Sequence, residues 1–190
     1  MQLLTDDEGA MAVRSARTAI EYAVAKRPKT PLNLTPVFGE KRGVFVTLTK
    51  RGSLRGCIGF PYPVMPLGEA IVHAAGAAAL EDPRFPPVTK DELATISLEV
   101  TILTIPEPLN GTPAQRPEQV MVGKHGLIAR GMGTSGLLLP QVATEYGWDA
   151  KTFLDHTCMK AGLSERCWTS KNVEILTFEG QIFSEHVPPA

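Results

Sequence analysis

The stretch 44-VFVTLTKRGSLRGCIGF-60 alternates apolar or β-branched residues with polar ones on both sides of 51-RGS-53. Such alternation is typical of a half-buried strand, and a glycine-bearing turn between two such runs predicts a β-hairpin. The second strand carries Cys57 between Gly56 and Gly59. Because glycine weakens a strand, this pattern indicates either a reactive thiol that needs bare backbone around it or a strand packed closely against another segment.

Helices are predicted on both sides of the hairpin. Thr5 and Glu8 have the spacing of a capping box, and the helical periodicity that follows ends at Pro28, in a proline-bearing connector. After the hairpin, the alanine-rich segment 67–80 predicts a helix whose small side chains allow another element to approach closely. The segment 81-EDPRFPPV-88 is predicted to be irregular, because its prolines remove hydrogen-bond donors and restrict φ.

The rest of the chain predicts more strands and helices, without a regular βαβ alternation. The segment 95-TISLEVTILTI-105 alternates strictly, which predicts a strand with Glu99 on its polar face. A second hairpin is predicted over 123–140, a helix capped by Asp149 follows it, and one or two strands are predicted over 173–185. We therefore predict an α+β fold with a mainly antiparallel sheet and flanking helices.

The composition is typical of a globular protein and limits the classes of partner. The chain has 190 residues, of which 43% are hydrophobic and 21% charged, and its formal net charge is −1. This balance provides no global positive field, so neither nucleic acid nor a membrane surface is predicted as a partner. The N-terminal segment carries acids where a signal peptide carries Lys or Arg, which predicts a cytoplasmic protein. The three cysteines, an odd number, are predicted to be reduced thiols.

The segment 131-GMGTSG-136 matches G-x-G-x-x-G, a pattern that binds dinucleotides when it opens a helix. Here it leads into 137-LLLP-140, which is too short to form that helix. Its glycines are better explained by a hairpin turn that requires positive φ, and no cofactor is predicted.

A structural zinc site is not predicted either. Cys158 and Cys167 are nine residues apart, no C-x-x-C pair is present, and the four histidines are scattered along the chain. Cys158 lies on the apolar face of a predicted helix, which indicates a small core residue. Cys167, beside Trp168, is ambiguous.

Cys57 is the candidate catalytic residue. In a regular strand Arg55 and Cys57 share one face, and Leu54 and Ile58 share the other. A guanidinium near a thiol favours the thiolate and so raises its reactivity. A buried structural cysteine in a tightly packed strand explains the same residues equally well, and both interpretations stay open at this point.

Two further residues are weaker candidates for proton transfer. Glu99 lies in the middle of a strand whose other face is apolar; an ordinary solvated acid is the simpler explanation, and a buried Glu99 would need a cationic partner. His125, at the second hairpin, is the best candidate among the histidines for a base that acts on Cys57.

The run 54-LRGCIG-59 resembles the signature of the AMMECR domain family, named for the Alport syndrome, midface hypoplasia and elliptocytosis chromosomal region. The likeness extends over about residues 8 to 185; its longest segments are 44–59, 138-LLPQVATEYGWD-149 and 153-FLDHTCMKAGL-163, and it includes 81-EDPRFPPV-88. We therefore identify the whole chain, 1–190, as one copy of this domain, similar to stand-alone archaeal and bacterial members.

The resemblance implies a two-lobed α+β structure: a larger lobe with the antiparallel sheet, a smaller inserted lobe, and a cleft between them. It also implies a pathway shared with Memo-type and radical S-adenosylmethionine proteins, although it names no reaction.

Two functions from different classes follow. In the first, the chain is a thiol-dependent enzyme acting on an unidentified small molecule, and Arg55, Arg84, Phe85 and the bare backbone at Gly56 and Gly59 bind the ligand. In the second, the same surface is a non-catalytic binding or adaptor module for a protein, nucleic-acid or metabolite partner, and the chain can also assemble as a homo-oligomer. A third explanation is packing alone, with the strand passing beneath the alanine-rich helix.

Overall fold

The computed structural model describes residues 3–27 and 34–185, which form two compact units. The first unit contains the chain up to Leu103 and the chain from Gln181 onwards, and the second unit is Thr104–Gly180. The second unit is therefore inserted into the sequence of the first. Both units combine helices with antiparallel strand pairs, which confirms the predicted α+β class.

The first unit has a four-stranded sheet and two long helices. Its strands are β1 (Val44–Lys50), β2 (Ser53–Phe60), β3 (Ile96–Leu103) and β8 (Gly180–Ser184), in the order β2-β1-β3-β8. The helices are α1 (Asp6–Ala25) and α2 (Leu67–Leu80), and one-turn 3₁₀ helices lie at Pro36–Gly39 and Lys90–Glu92. β2 is thus an edge strand, and no strand of the described residues pairs with its outer side.

The local signals of the first unit act as predicted. Thr5 and Glu8 form a reciprocal capping box at the start of α1. Arg51 and Gly52 both have positive φ in the two-residue turn of the β1–β2 hairpin, as a type I′ turn requires. The predicted boundary at Pro28 lies outside the described residues, and α1 ends before it at Ala25.

The core of the first unit lies between the two helices and one face of the sheet. The alternate residues of β3 predicted to point inward, Ile96, Leu98, Val100 and Ile102, are all buried in it. The packing is close enough that a Cβ on Gly9 of α1 would lie 2.0 Å from a ring carbon of Phe183. The opposite face of the sheet carries polar and half-buried residues.

The second unit has its own four-stranded sheet, in the order β4-β7-β5-β6. Its elements are β4 (Glu107–Pro108), α3 (Arg116–Gln119), β5 (Gly126–Gly131), β6 (Thr134–Leu138), α4 (Pro140–Glu145), α5 (Ala150–Lys160) and β7 (Glu174–Phe178), with 3₁₀ turns at Pro113–Gln115 and Cys167–Thr169. The G-x-G-x-x-G segment forms the β5–β6 turn, where Met132 and Gly133 have positive φ. The hairpin explanation of this motif is thereby confirmed.

The prediction of three reduced cysteines is wrong, because Cys158 and Cys167 form a disulfide. Cys158 is on α5 and Cys167 begins the turn that follows it, and their Cα atoms are 5.8 Å apart. A search for short metal-type spacings overlooks such a pair, since only the fold brings the two residues together. Both residues are buried, as expected for Cys158.

Candidate functional site

Cys57 lies on the half-buried open face of the first sheet, in the edge strand β2. It is the one cysteine of the chain outside the disulfide. Its partner in the neighbouring strand is Thr47, and the Thr47 hydroxyl donates a hydrogen bond to Cys57 Sγ at 3.3 Å. The thiol is therefore neither a core residue nor a fully solvated group.

The outer edge of β2 is bound at Cys57 by two side chains of the irregular segment that follows α2. The main-chain N–H of Cys57 donates to Asp82 Oδ2 at 2.8 Å, and the Cys57 carbonyl accepts from Arg84 Nη2 at 3.1 Å. Asp82 and Arg84 thus satisfy main-chain groups that a further strand would otherwise pair with. This interaction, which we call the Asp82–Arg84 clamp, fixes the backbone that carries the thiol.

The clamp is held together by charge-assisted hydrogen bonds. Asp82 accepts from Arg84 Nε at 2.9 Å and from Arg84 Nη2 at 2.7 Å, and the Asp82 side chain is only 2% exposed. The bonds from Arg84, supported by the N–H of Cys57, hold the pKa of Asp82 far below its usual range although burial opposes this. Asp82 is therefore ionised under all ordinary conditions.

Arg84, and not Arg55, is the arginine whose guanidinium binds Cys57. Asp82 is the main cause of its raised pKa, and the Cys57 side chain contributes in the same direction. The Arg84 side chain is 52% exposed, and its guanidinium carbon lies 5.6 Å from the centre of the Phe85 ring. Its hydrogen bonds use Nε and Nη2, and Nη1 has no partner among the described residues.

Arg55 does not take the position predicted for it. A register shift between Leu48 and Thr49 pairs Leu54 with Thr49 and leaves Arg55 without an opposite residue. This bulge interrupts the alternation on which the shared face of Arg55 and Cys57 depended. It also puts Leu54 on the open face, where it is 44% exposed, and not on the core face with Ile58.

The Arg55 guanidinium instead forms two hydrogen bonds with Glu92, at 3.1 and 3.0 Å. The Lys50 ammonium shares the same carboxylate at 2.9 Å. These cations, Arg55 first and then Lys50, hold the pKa of Glu92 far below its usual range. The Arg55 side chain is only 12% exposed, and its charge is paired with that of Glu92. Arg55 therefore does not offer a free cation to a ligand.

The two glycines that flank Cys57 are explained by close packing. A Cβ on Gly56 would lie 2.2 Å from the carbonyl oxygen of Ala78, so α2 can pass over β2 only because this side chain is missing. A Cβ on Gly59 would lie 2.3 Å from the carbonyl oxygen of Val44. Close packing therefore explains both glycines: Gly56 faces α2, and Gly59 lies on the same face as Cys57, against β1.

Glu99 belongs to the same row of the sheet as Cys57. Thr47 is opposite Cys57 on one side and opposite Glu99 on the other, so the three side chains cross the open face in line. Glu99 is half-buried and accepts a hydrogen bond from the Ser184 hydroxyl at 3.5 Å. No ion pair with Glu99 is found among the described residues of the first unit.

His125 belongs to the second unit, just before β5. Its Nδ1 accepts a hydrogen bond from the main-chain N–H of Met121 at 3.2 Å, and its Nε2 is 4.0 Å from Glu179. Burial lowers its pKa, and the nearby Glu179 opposes this only in part. His125 is therefore a neutral side chain with a local structural role in the turn.

Asp82, Thr47 and Glu92 are site residues that the sequence analysis missed. Thr47 could not have been found from the hairpin, because a regular strand pair from this turn would place Thr47 opposite Gly56, and only the bulge brings it opposite Cys57. Asp82 and Glu92 offered no signal either, since Asp82 reaches β2 from an irregular segment and Glu92 from a one-turn 3₁₀ helix, both distant from β2 along the chain. Of the predicted ligand residues, Arg84 binds the Cys57 carbonyl, and the Phe85 ring lies beside the Arg84 guanidinium.

Other features of the described residues lie away from Cys57. An open, mainly apolar groove of about 610 Å³ in the first unit is lined by residues of 34–39 and the start of α2. Among the described residues, no group of three or more His, Cys, Asp or Glu side chains could hold a metal ion. None of the described helices combines the length and the apolar character needed to cross a membrane.

Comparison with known proteins identifies similar chains over almost the full length. The AMMECR1 family model matches residues 13–183. A protein from Methanosarcina acetivorans is 53% identical over 98% of this chain and 96% of its own length, and one from Methanothermobacter thermautotrophicus is 51% identical over 96% of each. The crystal structure of an uncharacterised protein from Pyrococcus horikoshii, 45% identical, covers 97% of this chain and 95% of that chain with a TM-score of 0.78.

Proposed function

The chain belongs to the AMMECR1 family, and on that premise we propose that it is a thiol-dependent enzyme in which Cys57 is the nucleophile. The observation that carries this proposal is the environment of the thiol: Cys57 Sγ accepts a hydrogen bond from Thr47, while the Asp82–Arg84 clamp fixes its main chain. Covalent catalysis needs a nucleophile held in position, and a hydrogen bond to the sulfur favours its charged, reactive form.

The proposed step is the attack of the Cys57 thiolate on an electrophilic carbon of the substrate. A sulfur–carbon bond forms, the bond from that carbon to its leaving group breaks, and the leaving group departs with the electron pair. The proton of the thiol passes to solvent before the attack. The Thr47 hydroxyl stabilises the thiolate by donating to it, because a hydrogen bond to the charged form favours that form.

Arg84 supports an anionic group on the substrate. Its guanidinium is half exposed beside the thiol, and Nη1 is directed to no other described residue. A guanidinium suits a carboxylate or a phosphate, and the Phe85 ring beside it offers an apolar wall. Arg55, in contrast, has a structural role: it binds Glu92 and so connects β2 to the 3₁₀ helix Lys90–Glu92.

A second candidate function is the non-catalytic binding or adaptor module. It is favoured by one observation: Asp82 already neutralises Arg84, which weakens the help that this cation gives to a thiolate. In this alternative, the surface of Arg84, Phe85 and Cys57 recognises a metabolite, protein or nucleic-acid partner without forming a covalent bond.

Alkylation of the native protein distinguishes these functions. Iodoacetamide is neutral and small, and Cys57 is the one thiol that it can label while the disulfide is intact. If Cys57 is the nucleophile of an enzyme, we expect native Cys57 to react with iodoacetamide faster than the same thiol does in the denatured chain at the same pH. A thiol that reacts only after denaturation would exclude the nucleophile. The Cys57→Ser variant, which must remain unlabelled, is the control.

The proposal includes the location and the pathway of the enzyme. We propose a cytoplasmic location and a pathway shared with Memo-type and radical S-adenosylmethionine proteins, as the family resemblance implies. The Cys158–Cys167 disulfide is compatible with a cytoplasm of the kind found in hyperthermophilic archaea, where intracellular disulfides are common. Copurification of a tagged chain with those two classes of protein tests the pathway, and the same experiment reports a homo-oligomer.

A further inference from the structure

Two opposite charges flank the Cys57 thiol on the open face of the first sheet. The Arg84 guanidinium lies at the outer edge, where Nη2 binds the Cys57 carbonyl at 3.1 Å. The Glu99 carboxylate lies in the same row on the other side, because Thr47 is opposite both Cys57 and Glu99. Neighbouring strands are about 4.8 Å apart, so the strands of Cys57 and Glu99 are separated by about 10 Å.

The charge of Glu99 is not balanced within the first unit. Ser184 is its hydrogen-bond partner, at 3.5 Å, and no lysine or arginine pairs with it among the described residues of this unit. The other strongly held acids of the unit, Asp82 and Glu92, each bind at least one guanidinium. The Glu99 carboxylate, which no described cation pairs with, can therefore bind a cationic group on a ligand.

We propose that the substrate is a dipolar molecule: its anionic group binds Arg84, its protonated amine binds Glu99, and its electrophilic carbon lies between them at Cys57 Sγ. This inference rests on the function proposed above, since it assigns a substrate class to the same thiol. It gives Glu99 a binding role in place of the proton transfer expected from the sequence. The Thr47 hydroxyl, between the two charges, is left to donate to the sulfur.

The distance between the charges selects the length of the substrate. An amine at the end of about four methylene groups extends ~6 Å from the reacting carbon, and a hydrogen bond adds ~3 Å. The sum of these two lengths, ~9 Å, approaches the separation of about 10 Å between the strands of Cys57 and Glu99. A compound with its amine directly on the reacting carbon would reach Arg84 and Cys57 but not Glu99, so the substrate class is an acid with a terminal amine.

Four alkylating agents with one carbon skeleton test this assignment. The dipolar reagent is the α-bromo analogue of lysine, in which bromine replaces the α-amino group. Its amide carries only the positive charge, the α-bromo acid without the terminal amine carries only the negative charge, and the α-bromo amide without the amine is neutral. In each reaction the Cys57 thiolate attacks the α-carbon, the sulfur–carbon bond forms and bromide leaves. The rate is measured by mass spectrometry of the Cys57 peptide.

The expected result is a rate for the dipolar reagent about fivefold above that of the acid without the amine, after division by the rates with free cysteine. The Glu99→Gln variant removes this advantage of the amine when each of its rates is divided by its own rate with the neutral reagent. The Glu69→Gln variant, which changes an exposed acid on α2, keeps the advantage.

The outcomes separate this inference from the proposed function. If all four reagents label native Cys57 at rates that differ no more than with free cysteine, the dipolar substrate is excluded and the nucleophile stands. An amine advantage that persists in Glu99→Gln overturns the role of Glu99. If even the neutral reagent labels Cys57 only after denaturation, the thiol enzyme is excluded and this inference fails with it.

Discussion

The buried carboxylate of Asp82 accepts a hydrogen bond from the main-chain N–H of Cys57, with 2.8 Å between Oδ2 and the nitrogen. The two residues are 25 positions apart in the chain. Their contact connects the edge strand β2 to the irregular segment after α2 and brings Arg84 beside the thiol. The geometry at Cys57 therefore depends on Asp82, a residue that takes no part in the proposed reaction.

Asp82→Asn is expected to lower the free energy of unfolding by about 2 kcal/mol. The amide keeps the shape of the carboxylate, but it loses the charge that binds Arg84 and places an amide group where an acceptor is required. Urea unfolding followed by circular dichroism measures the change. Glu81→Gln, at an exposed neighbouring position, is the control and should change stability by less than about 0.5 kcal/mol. Equal effects of the two substitutions would contradict the clamp.

Gly56→Ala is expected to destabilise the protein by about 3 kcal/mol, because the added Cβ would lie 2.2 Å from the carbonyl oxygen of Ala78. Gly76→Ala provides a matched control of opposite sign. Gly76 lies within α2, and a Cβ there meets no atom within 4 Å, so alanine should stabilise the helix by up to ~1 kcal/mol. Denaturant unfolding of both variants measures the difference. A neutral Gly56→Ala would mean that α2 does not pack on β2 this closely.

Acidification is expected to lower the free energy of unfolding of the first unit, because it protonates Glu92 and breaks its ion pairs. The ion pairs hold its pKa in the folded protein below the unfolded value, so its contribution to stability is complete above about pH 5 and decreases as the pH falls through about 4. The difference in unfolding free energy between the native chain and Glu92→Gln should therefore shrink on acidification. Unfolding curves recorded between neutral pH and about pH 3 test this. A difference that stays constant over this range would rule out the depressed pKa.

Reduction of the Cys158–Cys167 disulfide is expected to lower stability by about 2.5 kcal/mol, the value for a loop closed over this short separation. Thermal unfolding with and without a reductant measures the change, and a double Cys158→Ala, Cys167→Ala variant should show no response to the reductant. Thiol titration of the denatured but unreduced protein should find a single thiol, Cys57. Three titratable thiols would show that the bond is absent.

Arg84 and Arg55 are expected to differ in their effect on charge selectivity. Arg84→Gln should reduce the rate of Cys57 labelling by anionic iodoacetate, relative to neutral iodoacetamide, by about fivefold. Arg55→Gln should leave this ratio unchanged, because the Arg55 charge is already paired with Glu92. It should instead lower stability. A selectivity that follows Arg55 and not Arg84 would reverse the assignment of the two guanidinium groups.

Many elements of the fold were predictable from short stretches of sequence. The capping box at Thr5 and Glu8, the glycine turn of the first hairpin, the alternation of β3 and the cap of α5 by Asp149 all involve residues within a few positions of one another. The family resemblance added the two-part organisation. The division of the strands into two sheets was not predicted, because β7 and β8 are separated by one residue and still join different sheets.

The candidate site was predictable only in part. The sequence indicated Cys57, Arg84 and Phe85, but the pleat argument assigned Arg55 to the thiol. That argument assumes a regular strand, and the bulge between Leu48 and Thr49 breaks this assumption. A bulge depends on how two strands and their neighbours pack, so the alternation of a single strand could not reveal it.

Short residue patterns indicated many of the helices, strands and turns and the resemblance to the AMMECR family, because these features depend on local geometry and residue type. The contacts of the folded chain established which guanidinium binds the main chain of Cys57 and which cysteines pair. Those outcomes depend on contacts between distant residues, such as Asp82 with Cys57 and Glu92 with Arg55. The energy of a buried charge is set by the partners that the fold brings to it, and spacing along the chain does not contain that information.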